Sequence, residues 1–330
     1  MVESTAKVPA AAPIAMIDAI PFSGLASPAA ARLFAAMKRI DAPSLESSVG
    51  ELRAYYGVLD RRRAEEMRRR FPVDIEVGST GGVPVKIVTP REGVSSANAG
   101  RVLINLHGGA FMWGGEYGGL VESIPIAALG GFTVVAVDYR QAPEHVHPAA
   151  SEDVAAVYAE LLDSYTAKSI GIYGCSAGGV LTAQAIVEFT HMGLPMPGAL
   201  GTFCGTGLEF GGDSPHLAAL TTRSSKFPKG EVRLGALPYF GGAAADDSRV
   251  FPLVSDDWAR RFPPTLMIAG GRDFAASSLT LGHRRLASVD CDSRLFLFDG
   301  LWHAFFADPE LPESGEAYDL ICRFFLECLG

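Results

Sequence analysis

Gly174-Cys175-Ser176-Ala177-Gly178 follows the apolar run Ser169–Tyr173 and opens a helical stretch, Gly178–Met192. A strand that passes into a helix over so few residues must turn sharply. Small residues two before and two after the serine keep the backbone from clashing in that turn. The serine then lies at a helix N-terminus, where the dipole favours developing negative charge. The five letters alone are a weak signal. Their strand and helix flanks make Ser176 a candidate nucleophile, set against the bland reading of a plain strand–helix glycine turn.

Working outward, the same alternation recurs along the chain. Val73–Val77 and Val85–Val88 are short β-like runs around a Gly-rich stretch, 78–82, that reads as a hairpin. Arg101–Leu106, Phe132–Val137, Ala199–Cys204, Thr265–Ala269 and Arg294–Phe298 are further strands. Glu152–Tyr165 has helical spacing, and a helix near Glu316–Leu329 closes the chain. Continuous apolar strands alternating with helices predict an α/β fold: a mostly parallel central sheet covered on both faces.

The first seventy residues differ. They read as helices near Pro28–Ile40 and Leu45–Arg70, punctuated by Pro43. The expected organisation is an N-terminal helical cap segment over 1–70 and a catalytic domain over 71–330. Part of the irregular stretch 206–264 adds to the cap.

A second motif, His107-Gly108-Gly109-Ala110-Phe111, directly follows the strand Arg101–Leu106. Acyl transfer needs fixed donors for a tetrahedral oxyanion, and two adjacent glycines let backbone N–H groups approach a substrate closely. Gly108 and Gly109 are the expected donors, with Ala177 after the nucleophile. Read alone, the motif is also what a flexible turn looks like.

A serine hydroxyl needs a base. Of seven histidines, His303 follows the last strand, and Asp273 follows the strand before it in Gly270-Gly271-Arg272-Asp273. In isolation, one would be a surface histidine and the other a turn residue. The order Ser176, Asp273, His303 is that of an α/β-hydrolase triad, in which the aspartate orients the imidazole. Phe111, Met112, Trp113 and Trp302 are candidates for the acyl pocket, or equally for ordinary core.

Together these residues resemble the bacterial hormone-sensitive-lipase-like esterases, the family IV lipolytic enzymes, over roughly residues 71–330. The resemblance rests on HGGAF at 107–111, Tyr139-Arg140-Gln141-Ala142-Pro143-Glu144, the serine turn and the Asp273/His303 pair. It implies an α/β-hydrolase fold with a helical cap and a carboxylesterase acting on short- to medium-chain acyl esters. It implies no cofactor and no metal, and it allows a homodimer. His107 and Glu144 take structural roles, Glu144 supporting the oxyanion loop. Cys175 departs from the Asp or Thr common at that position, and is either an inert small residue or a thiol that modulates the site.

Composition sets the remaining bounds. The formal net charge of −9 disfavours nucleic acid as a partner. Arg61–Arg63 and Arg68–Arg70, beside Glu65 and Glu66, read as a solvated helix face. No apolar stretch is long enough for a membrane span, and the N-terminus lacks the pattern of a signal peptide. Five scattered cysteines without a CxxC pattern argue against a disulfide framework or a zinc site and fit a reducing cytoplasm. The competing readings are a lactonase, amidase or thioesterase with the same triad, a non-catalytic ligand receptor on the same scaffold, and a metallohydrolase built on His145 and His147.

Overall fold

The most apolar runs of the chain form the centre of one eight-stranded sheet. The computed structural model describes residues 21–37, 40, 42–222 and 233–330. The signal-peptide reading and parts of both expected cap segments therefore fall outside the described residues. The strands are β1 (Val73–Thr80), β2 (Val83–Pro90), β3 (Val102–Leu106), β4 (Thr133–Val137), β5 (Ile170–Cys175), β6 (Ala199–Phe203), β7 (Thr265–Gly270) and β8 (Ser293–Phe298), in the order β1-β2-β4-β3-β5-β6-β7-β8. β2 runs antiparallel to both neighbours, and from β4 to β8 every pairing is parallel. β3, β5, β6 and β7 are buried along their whole length, because helices cover both faces. The expected hairpin is present: Thr80 pairs with Val83, and Gly81 and Gly82 take the positive φ that a two-residue turn requires.

The helices are α1 (Pro28–Met37), α2 (Val49–Arg70), α3 (Gly118–Gly130), α4 (Ala149–Leu161), α5 (Ala177–His191), α6 (Ser214–Thr222), α7 (Asp256–Ala259), α8 (Ala276–Ala287) and α9 (Pro312–Cys328). A capping box of Ser48 and Glu51 starts α2. Its last turn carries Arg68–Arg70, where the dipole favours cations. The solvated face holds for Arg61, paired with Glu65, and for Arg69 and Arg70, paired with Glu66. Arg63 instead turns inward toward Asp308.

α3 and α8 were not anticipated. α3 begins on two glycines, holds Pro125 and is buried nearly all round, so it lacks the one-sided periodicity that marks a surface helix. Among the described residues no helix is long and apolar enough to cross a membrane. The five cysteines are unpaired.

β5, β3 and α5 meet at the serine turn with no room to spare. A methyl group added at Gly174 or Gly178 would overlap the carbonyl of Leu106. Gly178→Ala is therefore expected to destabilise the fold by about 1–3 kcal/mol or more. Chemical denaturation checks this, and stability equal to the parent would show that the spacing is slack.

Candidate active site

The turn after β5 holds Ser176 at φ 58° and ψ −120°, a sparsely populated region for a residue with a side chain. Such a conformation costs about 1–3 kcal/mol and persists only where its surroundings over-determine it. Here the Ser176 N–H donates to the Phe203 carbonyl at 2.7 Å, and α5 takes up the chain immediately afterwards. Ser176 is left partly exposed, just past the C-terminal end of β5.

The loop after β3 lies against this turn. A methyl group at Gly108 would stand 3.4 Å from Ser176 Cβ. The carbonyls of the loop are tied down one after another. His107 O accepts from Tyr139 Oη at 2.7 Å, and Gly108 O accepts from His107 Nδ1 at 2.6 Å. Gly109 O accepts from the Met112 and Trp113 amides, and Phe111 O from the Ala142 amide. Burial lowers the His107 pKa, favouring the neutral ring. With Nδ1–H spent on Gly108 O, Nε2 is free to accept from Gln141 at 3.3 Å.

One expected oxyanion donor is placed otherwise. The Gly108 N–H donates to Glu122 Oε1 at 3.1 Å, so this amide is already used. Among the described residues the N–H groups of Gly109 and Ala110 have no acceptor, and Ala177 N–H is one of the orphan donors of a helix start. Phe111 N–H is likewise without an acceptor, so the unclaimed amides are Gly109, Ala110 and Phe111 of the loop, with Ala177 at the serine turn. Ala110 and Phe111 both have positive φ, and this reversal of the chain turns the loop over.

His303 and Asp273 meet as their order in the chain suggested. His303 Nδ1 is 2.8 Å from Asp273 Oδ1, which also accepts the Ala275 N–H at 2.8 Å. Asp273 is fully buried, and Phe274 stacks on the His303 ring at 4.1 Å. Cys204, one residue past the Phe203 that holds Ser176 N–H, connects the two halves. Its Sγ accepts the Ala304 N–H at 3.3 Å, and one ligand atom each of Cys204, Asp273 and His303 lies within 4.8 Å of the others. His303 bonds through Nδ1 to Asp273 Oδ1, and among the described residues no hydrogen bond joins it to Ser176.

The Cys175 and Cys204 thiols hydrogen-bond beside the nucleophile. Burial pushes both up from the ordinary thiol range, which leaves little thiolate for chemistry.

Several other expectations need correction. Phe111 is fully buried and stacks on Tyr239 at 4.4 Å. Met112 is buried in the same core, and Trp302 is buried against Phe34 of α1. These three are core rather than pocket wall. Trp113 remains partly exposed, stacked on Tyr56 of α2 at 4.6 Å. Glu144 does not touch the oxyanion loop. It is exposed and pairs with Arg53, whose Nε donates to Met112 O at 2.8 Å and whose Nη2 donates to Ala142 O at 3.0 Å. The guanidinium of Arg53 holds the Glu144 carboxyl down to about 2. A cavity of about 330 Å³ lined by His147, Gln184, His191 and Asp247 contains none of Ser176, Asp273 and His303.

Sequence reasoning missed Glu122, the carboxyl on the Gly108 amide. Its signal was available: one acidic residue in an otherwise uncharged stretch, Gly118–Gly130. The missed helix hid it.

Residues 103–307 match a family described as the alpha/beta hydrolase fold, and the chain belongs to it. LipR of Mycobacterium tuberculosis, named as an acetyl-hydrolase, is 30% identical over 256 residues, 72% of this chain and 76% of that protein. The crystal structure of an esterase, E25, superposes with a TM-score of 0.80 at 29% identity, covering 94% of this chain and 97% of the other. An esterase from the bacterial hormone-sensitive lipase family superposes with a TM-score of 0.76 at 25% identity, covering 92% and 99%. Within the α/β-hydrolases the chain is a carboxylesterase of the hormone-sensitive-lipase-like kind.

Asp273→Asn should keep the fold but lose the charge that holds the imidazole tautomer, lowering kcat on an ester by about 10³–10⁴-fold. Steady-state kinetics beside a thermal melt checks this. Near-native kcat in the variant would remove Asp273 from the triad.

Proposed function

We propose that the protein hydrolyses short- to medium-chain acyl esters through an acyl-enzyme on Ser176. The observation that carries this is the Asp273–His303 hydrogen bond, joined through Cys204 to a serine turn against which Gly108 of the glycine loop is packed. Ser176 attacks the ester carbonyl as His303 Nε2 takes its proton, with Nδ1–H held by Asp273. The tetrahedral oxygen rests on the amides of Gly109, Ala110 and Ala177. Each such donor contributes about 3–4 kcal/mol to the barrier lowering. His303 returns the proton to the leaving alcohol. Water then attacks the acyl-enzyme by the same route.

The N-terminal segment 1–70 is proposed as a cap, with part of 206–264. Three contacts support it: Arg53 on Met112 O, Tyr56 on Trp113, and Ser214 Oγ donating to Phe274 O at 2.8 Å. A cytoplasmic setting is proposed from the five unpaired cysteines. The same triad could serve a lactonase, amidase or thioesterase, and profiling across those bonds separates them. A ligand receptor on this scaffold would not need the Asp273–His303 pair.

Purified protein should turn over p-nitrophenyl acetate and butyrate, with p-nitrophenyl palmitate a poor substrate. Ser176→Ala should lose about 10⁶-fold in kcat while its thermal melt stays close to the parent. Retained turnover in Ser176→Ala would refute the mechanism, and fastest turnover on palmitate would refute the substrate class.

A further inference from the structure

Glu122 is the single charged side chain of α3, and the mechanism above does not use it. Its carboxyl group touches both halves of the reaction site. Oε1 accepts the Gly108 N–H at 3.1 Å, in the loop that carries the unclaimed donors. Oε2 accepts the Cys175 N–H at 3.2 Å, immediately before the nucleophile, and the Asn105 side-chain amide at 3.0 Å. The Gly108 and Cys175 amides belong to segments 67 residues apart in sequence (175 − 108).

We propose that Glu122 is a positioning residue of the esterase: its carboxyl clamps the oxyanion loop to the strand end that carries Ser176, and so sets the spacing between the nucleophile and its oxyanion donors. The proposal rests on the triad reading given above.

All three partners donate, and among the described residues no cation pairs with the carboxyl. Asp60 of α2, Tyr139 after β4, and Tyr173 and Cys175 of β5 interact with it electrostatically; Arg63 of α2 acts on Asp60 and Cys175, and His107 precedes the Gly108 that Glu122 holds. Loss of hydration pushes the Glu122 carboxyl up to about 8, against the pull of its three donors. A protonated carboxyl can keep both main-chain bonds if its O–H faces Asn105. Asn105 Oδ1 is buried without a partner, and a flip of that amide would supply the acceptor. Above about pH 8 the group becomes a carboxylate behind amides that must stabilise an oxyanion, and turnover falls. The sign for stability is the same. A carboxyl raised on folding contributes fully below its unfolded pKa, and the contribution is lost as pH rises through about 8.

The test is p-nitrophenyl butyrate hydrolysis from about pH 5 to about pH 10 by wild type, Glu122→Gln, Asn105→Ala and Ser176→Ala. An inactive wild type, or an active Ser176→Ala, would defeat the triad reading itself. With that reading intact, Glu122→Gln should lose about tenfold to hundredfold in kcat with KM within about threefold. The amide nitrogen of glutamine has no lone pair, so it can hold one of the two main-chain donors but not both. The variant should also lose the decline near pH 8. A folded Glu122→Gln with parental kcat, or with the same alkaline decline, overturns the proposal. If Glu122→Gln does not fold, Asn105→Ala decides. Asn105 bonds the carboxyl in either protonation state, so removing it should displace the decline, and a decline that stays put overturns the assignment.

Discussion

The structure depends on one main-chain constraint: Ser176 is held at positive φ between the end of β5 and the start of α5. The conformation is unfavourable for serine and is stabilised from outside. The Phe203 carbonyl takes its N–H, and the glycines two residues to either side let β3 approach as closely as a backbone can. The strain thus has a use. It lifts the hydroxyl clear of the sheet and leaves the Ala177 amide beside it unpaired.

The neighbouring loop works by allocation of hydrogen bonds. Four of its carbonyls, from residues 107, 108, 109 and 111, are occupied by Tyr139, His107, the Met112 and Trp113 amides, and the Ala142 amide. Arg53 fastens a fifth, Met112 O, from α2. Gly108 N–H is spent on Glu122. What remains among the described residues are the amides of Gly109, Ala110 and Phe111, which donate to no other group of the protein. Preorganised donors of this kind need no reorganisation when charge develops.

Much of this was legible in the residues. The strands β3 to β8 are short apolar runs, and both the triad and the glycine loop fall at strand ends, where punctuation is strongest. Local pattern could not say which amides of His107–Phe111 are free. That depends on Glu122, and Glu122 lies on a helix whose all-round burial removes the periodicity by which helices are recognised. Nor could it tell core from pocket wall. Phe111 reads equally as pocket wall or core until the positive φ at residues 110 and 111 accompanies its stacking on Tyr239. Glu144 was placed on the correct loop by motif, but it acts through Arg53, a residue 91 positions away.

The central claim is that a serine held in a strained turn faces three free amides and not the spent one. A crystal structure of the protein inactivated by a p-nitrophenyl phosphonate tests it directly. The account predicts phosphorus bonded to Ser176 Oγ and the phosphoryl oxygen about 2.7–3.1 Å from the amides of Gly109, Ala110 and Ala177. An adduct on another residue, or a phosphoryl oxygen resting on the Gly108 amide after it has left Glu122, would contradict it.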